Sequence, residues 1–176
     1  MNFVATVMYR LRQVRQQLGF VPPLSTEDYR EVERWLSRPA LNLFRTMTPA
    51  DQQHSLRVCR GLQARGCQEH DLLAAALLHD VGKAEGRVPF WTRPMIVLGK
   101  KFTPSLLQRS VIDPEHIEHA RYPRWRRALS YAWYHAEVGA SLAAAAGLSE
   151  RAVLYIRTHH QPHGPAAELY LVDEVS

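Results

Sequence analysis

Cysteine is scarce in this chain: Cys59 and Cys67 are the only two. Their spacing fits neither a zinc knuckle nor a CxxC redox pair, so both read as reduced, partly buried thiols. Long apolar runs are missing as well. The longest, near 72–78 and 142–148, are short and alanine-rich, well below the length of a membrane span. Acidic residues are absent before Glu27, and residues 1–20 alternate Arg and Gln with apolar residues, which does not read as a secretory leader. Together these absences set the expectation of a cytoplasmic protein. There is no internal repeat, no low-complexity tract and no sustained strand alternation, which leaves an all-α reading.

What is present is an ordinary globular composition over 176 residues, enough for one domain with a single core. The net charge is +5, and the excess is uneven. Basic residues gather at Arg10–Arg15, from Arg87 to Lys101 and from Arg121 to Arg127. Such zones attract phosphates, nucleic acid or anionic lipid, although a merely solvated basic face has the same composition.

The helix signals fall in order. Residues 3–18 carry Phe3, Val4, Val7, Met8, Leu11, Val14 and Leu18 at helical spacing, and "GFVPPL" ends the run. Ser25 or Thr26 caps a second helix, with Tyr29, Val32 and Leu36 inward, that stops before Pro39. A short helix is expected over Leu41–Met47. Thr48-Pro49-Ala50-Asp51 is a strong start for a helix running to about Gly66. The next helix runs from about Glu69 or Asp71 to Val81. Residues 84–128 hold five prolines and read as an insertion. "RALSYAWYHAEVGASLAAAAG" reads as one long helix, "SERAVLYIRTHH" as another, and "AAELYLVDEVS" as the last.

Each core-forming helix delivers a histidine or aspartate. His54 shares a face with Val58 and Leu62, and His135 with Val138, Gly139 and Leu142. Ile156 lies a turn before His159 and His160, and Leu169 a turn before Asp173. His79 and Asp80 end the oily run "LLAAALL". A lone histidine on an apolar face is usually a hydrogen-bonded core residue. Several converging from separate helices would leave buried polar groups unsatisfied, and a metal ion satisfies them through imidazole and carboxylate lone pairs. His70, His116, His119 and His163 fall in loops or exposed positions and read as surface, with His163 a candidate for the mouth of a site.

The upstream His54, the dyad "HDVGK", "YHAEVGASLA", "IRTHH" and "LYLVDEVS" give the order H…HD…H…H…D. This order resembles the HD-domain superfamily of metal-dependent phosphohydrolases over about Thr48 to Ser176. The resemblance implies an all-α helical bundle: an HD domain over 48–176, an N-terminal helical extension over 1–47 packed on it, and the insertion at about 84–128. "HAEVGA" and "HH" are also similar to the HD-GYP cyclic-dinucleotide phosphodiesterases, but the glycine-tyrosine-proline signature of that branch is missing. The same ligand order occurs in HD-type diadenosine tetraphosphatases and in di-iron oxygenases.

By that resemblance His54, His79, Asp80 and Asp173 hold a first metal, and Asp80 bridges to a second held by His135 and His159. His160 is a further ligand or a substrate contact. Paired metals suit in-line attack on phosphorus by metal-activated water. Lys83 and Arg57 are the cations expected to meet phosphate, with a surface charge or salt bridge as the plain alternative. The mixed nitrogen and oxygen donors favour a divalent transition metal, one or two ions of Mn, Fe, Co, Ni or Zn. The implied activity is hydrolysis of a nucleotide or other small phosphate ester. An HD-type di-iron oxygenase and a non-catalytic metal-bound signalling module are the alternatives.

No stable nucleic-acid complex is expected. In "VPFWTRPMIVLGKKF", Phe90, Trp91, Met95, Ile96 and Leu98 are expected to cover the core. A lid that uses Arg93, Lys100 or Lys101, and peripheral docking on an anionic membrane, are the competing uses of that segment.

Overall fold

The computed structural model describes residues 21–84, 88, 92, 104–117 and 122–176. The expected N-terminal helix, residues 85–103 apart from 88 and 92, with the lid cations and Phe90 to Leu98, and residues 118–121, with His119, lie outside these residues. The described residues are helical without strands, so the all-α expectation is borne out. No helix among them is long and apolar enough to cross a membrane.

Helix α1 spans Thr26–Val32. Its N-cap is Ser25, whose hydroxyl accepts from the Asp28 N–H while the Asp28 carboxylate accepts from the Ser25 N–H, a reciprocal capping box. Helix α2 spans Arg38–Arg45, with Pro39 in its first turn, where a missing N–H costs nothing. It thus begins earlier than the expected Leu41–Met47. Helix α3, Pro49–Ala64, starts on the Thr48 cap as its sequence predicts. It ends at Gly66, whose φ of +90° is left-handed and open to glycine at little cost.

Helix α4, His70–Leu78, is shorter than expected. It stops before the dyad, and a 3₁₀ turn over Val81–Lys83 follows. Helix α5 is Pro104–Ser110, and a second 3₁₀ turn covers Pro114–His116. The expected long helix divides into α6, Arg124–Trp133, and α7, His135–Ala145, because the backbone of Tyr134 (φ −103°, ψ 19°) leaves the helical region. Helix α8 is Glu150–Thr158 and α9 is Ala167–Asp173.

The core explains the placement. Seven consecutive residues of α4, Leu72 to Leu78, are buried, so this helix is wrapped on all sides. It packs on α3 and α8; α7 packs on α8 and on the Val81–Lys83 turn, and α9 packs on α3. Val32, Leu36, Phe44 and Met47 join the same cluster as Leu56, Leu73, Ile156 and Leu169. Residues 24–47 therefore share one core with the helices that carry the histidines.

Candidate metal centre

The imidazoles come from helix ends. His79 caps the C-terminus of α4, and His159 that of α8. His135 is the first residue of α7, directly after α6 ends. The last carbonyls of a helix lack intrahelical donors. Each of these rings uses one: His79 Nδ1–H donates to Ala76 O at 2.8 Å, His135 Nδ1–H to Ala132 O at 2.9 Å, and His159 Nδ1–H to Ile156 O at 2.6 Å. With the proton fixed on Nδ1, each Nε2 presents a lone pair inward, the tautomer that metal-bound histidines adopt.

Those lone pairs converge. His79 is fully buried, and its Nε2 lies 3.7 Å from Asp80 Oδ2 and 3.5 Å from Asp173 Oδ1. His54 Nε2 lies 2.8 Å from Asp173 Oδ1 and so joins α3 to α9. Asp80 Oδ1 lies 3.6 Å from His135 Nε2. His135 Nε2 is 2.8 Å from His160 Nε2, and the His159 and His160 rings are 3.9 Å apart. The Nε2 atoms of His79 and His159 are buried without a hydrogen-bond partner, which is costly unless a cation binds there. Two groups could hold a metal ion: His54, His79 and Asp80, and His135, His159 and His160, the donor atoms of each lying within 4.8 Å of one another. Asp80 faces both, one carboxylate oxygen to each. The donor set thus fits one or two metal ions.

The electrostatics differ between the groups. Burial disfavours a charge on His79, but Asp80 and Asp173 outweigh it and raise the imidazole pKa, so a cation is drawn to this side. Burial pushes His159 down to about 3 and His135 well below the usual imidazole range, with Lys83 adding to the effect on His135. Burial and Lys83 lower His160 too. These rings are neutral lone-pair donors at neutral pH. Burial opposes ionisation of Asp80, but the Lys83 ammonium, and after it His79, outweigh it and keep the carboxylate charged.

Every sequence-predicted ligand is therefore in or beside the cluster. Lys83 is too: its Nζ sits 2.5 Å from Asp80 Oδ1, so in this structure it forms the salt bridge that was the alternative to phosphate contact. Arg57 is exposed one turn along α3 from His54 and makes no ion pair among the described residues. His70, His116 and His163 are exposed, as expected. His54, Asp173 and Lys83 are half-buried and His160 is exposed, so water reaches the cluster past them.

Sequence reasoning missed two features. It put His135 inside one long helix, whereas a helix boundary stands there, because only near a helix end is a carbonyl such as that of Ala132 free to hold the imidazole; it ended the dyad's helix at Val81, and the helix stops at Leu78 with His79 as its cap. It also missed why Gly82 follows the dyad. A Cβ at Gly82 would lie 2.1 Å from His135 O and 2.9 Å from Gly139 N. Gly82 thus lets the dyad segment rest on the first turn of α7 and brings Asp80 to His135. The pair "HDVG" and "HAEVG" carried that signal without showing the contact.

Comparison of the chain with family models, with curated proteins and with solved structures returns no match.

Proposed function

We propose that this protein is a metal-dependent phosphohydrolase of HD type that cleaves a nucleotide or another small phosphate ester. The observation that carries this reading is Asp80, whose two carboxylate oxygens face two separate groups of Nε2 donors. The first group would be His54, His79, Asp80 and Asp173; the second would be Asp80, His135 and His159, with His160 at its edge. When bound, divalent ions lower the pKa of water and neutralise phosphate charge. The chain's own residues set the conditions. The Ala76, Ala132 and Ile156 carbonyls hold the rings in the ligand tautomer. Asp80 stays ionised beside Lys83, which makes it a ligand and not a proton donor. Lys83 and Arg57 supply positive charge on the approach of an anionic substrate.

The test is elemental analysis of protein purified without chelator, followed by a screen of nucleotides and small phosphate esters. Bound Mn, Fe, Co, Ni or Zn together with phosphate release is the expected result. Metal-loaded protein that consumes oxygen and releases no phosphate from any ester would replace this reading with the oxygenase one. Metal-loaded protein with neither activity would leave the signalling module.

A further inference from the structure

We propose that Lys83 is a built-in cation that competes with a metal ion for the His135 side of Asp80, so that the two halves of the centre fill in order. The inference rests on the metal-centre reading above. On the His79 side, Asp80 Oδ2 and Asp173 Oδ1 lie 3.7 and 3.5 Å from one imidazole nitrogen, so an ion there has the full charge of Asp173 besides a share of Asp80. On the other side the donors are His135, His159 and His160, and among the described residues the negative atom beside them is Asp80 Oδ1, 3.6 Å from His135 Nε2. That same oxygen carries the Lys83 ammonium at 2.5 Å. A second divalent ion must therefore share its one anionic ligand with a lysine, or displace it. The repulsion between ion and ammonium at such range is large in a partly buried setting.

The arrangement follows from the backbone. Residues three apart eclipse in a 3₁₀ turn, so Lys83 stands over Asp80. The turn is closed by Lys83 N–H donating to Asp80 O at 2.9 Å. Gly82 is seated on the backbone of His135 and Gly139, so the turn has no room to shift. Only the lysine side chain can leave, and at 18% exposure it has a path to water. The first half then fills with Lys83 in place. Filling the second half frees the ammonium at the mouth of the site, where it can meet a phosphate. Metal loading and substrate binding are thereby coupled through one side chain.

Calorimetric titration of the chelator-treated full chain with manganese(II) tests this, using wild type, Lys83→Met and Lys83→Arg. Met keeps an unbranched apolar stem, and a thermal melt confirms that each variant is folded. The expected wild-type result is a tight first step and a weak or absent second step. Lys83→Met should tighten the second step about tenfold or more and leave the first nearly unchanged. Lys83→Arg, which retains the charge, should keep the second step weak. A second step unchanged or weakened in Lys83→Met overturns the proposal, as does equal tightening of both steps or the same tightening in Lys83→Arg. Absence of manganese uptake by every variant, with none on substituting iron or zinc, overturns the metal-centre reading itself and is distinguishable from those outcomes.

Discussion

Helix α3 carries two charged ties, and they differ in kind. Near its C-terminal end Arg60 reaches α1: its Nη2 lies 2.6 Å from Asp28 Oδ1 and 2.6 Å from Glu31 Oε2, and its Nε donates to Glu31 as well. Nearer its start His54 reaches Asp173 on α9 at 2.8 Å. By composition alone both are clusters of charged residues between helices. The Arg60 cluster is 48% exposed at the arginine, and its close contacts pair opposite charges. The His54 cluster continues inward to His79 and His159, which are fully buried and keep unpartnered nitrogens. A polar cluster whose atoms are satisfied explains itself as structure. One that buries unsatisfied lone pairs beside carboxylates calls for a ligand, and the lone pairs state its charge.

The sharpest way to break this contrast is to remove the shared carboxylate. Asp80→Asn keeps the shape and removes the charge that both halves use. It is expected to lower metal content in both and to reduce kcat/KM by more than about 100-fold, since even outer-shell changes cost 10–100-fold. Metal analysis and steady-state kinetics check it. Stripping the metal from wild type should lower Tm, because a ligand at about a thousand times its Kd contributes about 4 kcal/mol. The Asp80→Asn protein should show little or no such shift on chelation. A chelator effect on Tm that survives in this variant would mean that the metal binds elsewhere.

Next in size is Gly82→Ala. The added methyl would collide with His135 O, which is backbone and has no rotamer to yield. Overpacking of this kind costs about 1–3 kcal/mol. The change alters no donor atom, yet it should weaken metal binding, because it pushes the Asp80 segment away from α7. Denaturant unfolding measures the first effect and metal titration the second. A stability loss with unchanged affinity would show that Asp80 and His135 are not held together by this contact.

The two clusters were unequally legible. The clustering of the histidines could be read from sequence because each sits a helical turn from buried apolar residues, as His54 does from Val58 and His159 from Ile156. The all-α fold was legible for the same reason, since the 3.6-residue period and the Ser25 and Thr48 caps are local. The end of α4 and the break at Tyr134 were not, because no Gly or Pro marks either one. Both are set by tertiary contact: the Val81–Lys83 turn seats on α7, and the freed carbonyls take up His79 and His135. Arg60 with Asp28 and Glu31 was also invisible, since nothing in sequence tells which arginine of α3 faces α1.

The smallest expected effect is therefore the control. Arg60→Ala should cost no more than about 1 kcal/mol, since its pairs are half-exposed and screened by water and salt. Metal content and kcat/KM should be unchanged, because the cluster lies on the side of α3 that faces α1. Its signature is in the pH dependence. The Ser25 hydroxyl, and after it the Arg60 guanidinium, hold the Asp28 pKa below its ordinary 3.8. A carboxylate whose folded pKa is depressed contributes stability that is present above the unfolded value and is lost as pH falls through the folded one. The stability gap between wild type and Arg60→Ala should accordingly be constant near neutrality and close as pH falls below 3.8. Urea midpoints across that range, with chelator present so that both proteins are metal-free, measure the gap. A gap that persists in acid would mean that Arg60 acts through packing of its stem on α1 and not through charge, while any loss of metal binding in this variant would erase the distinction between the two ties.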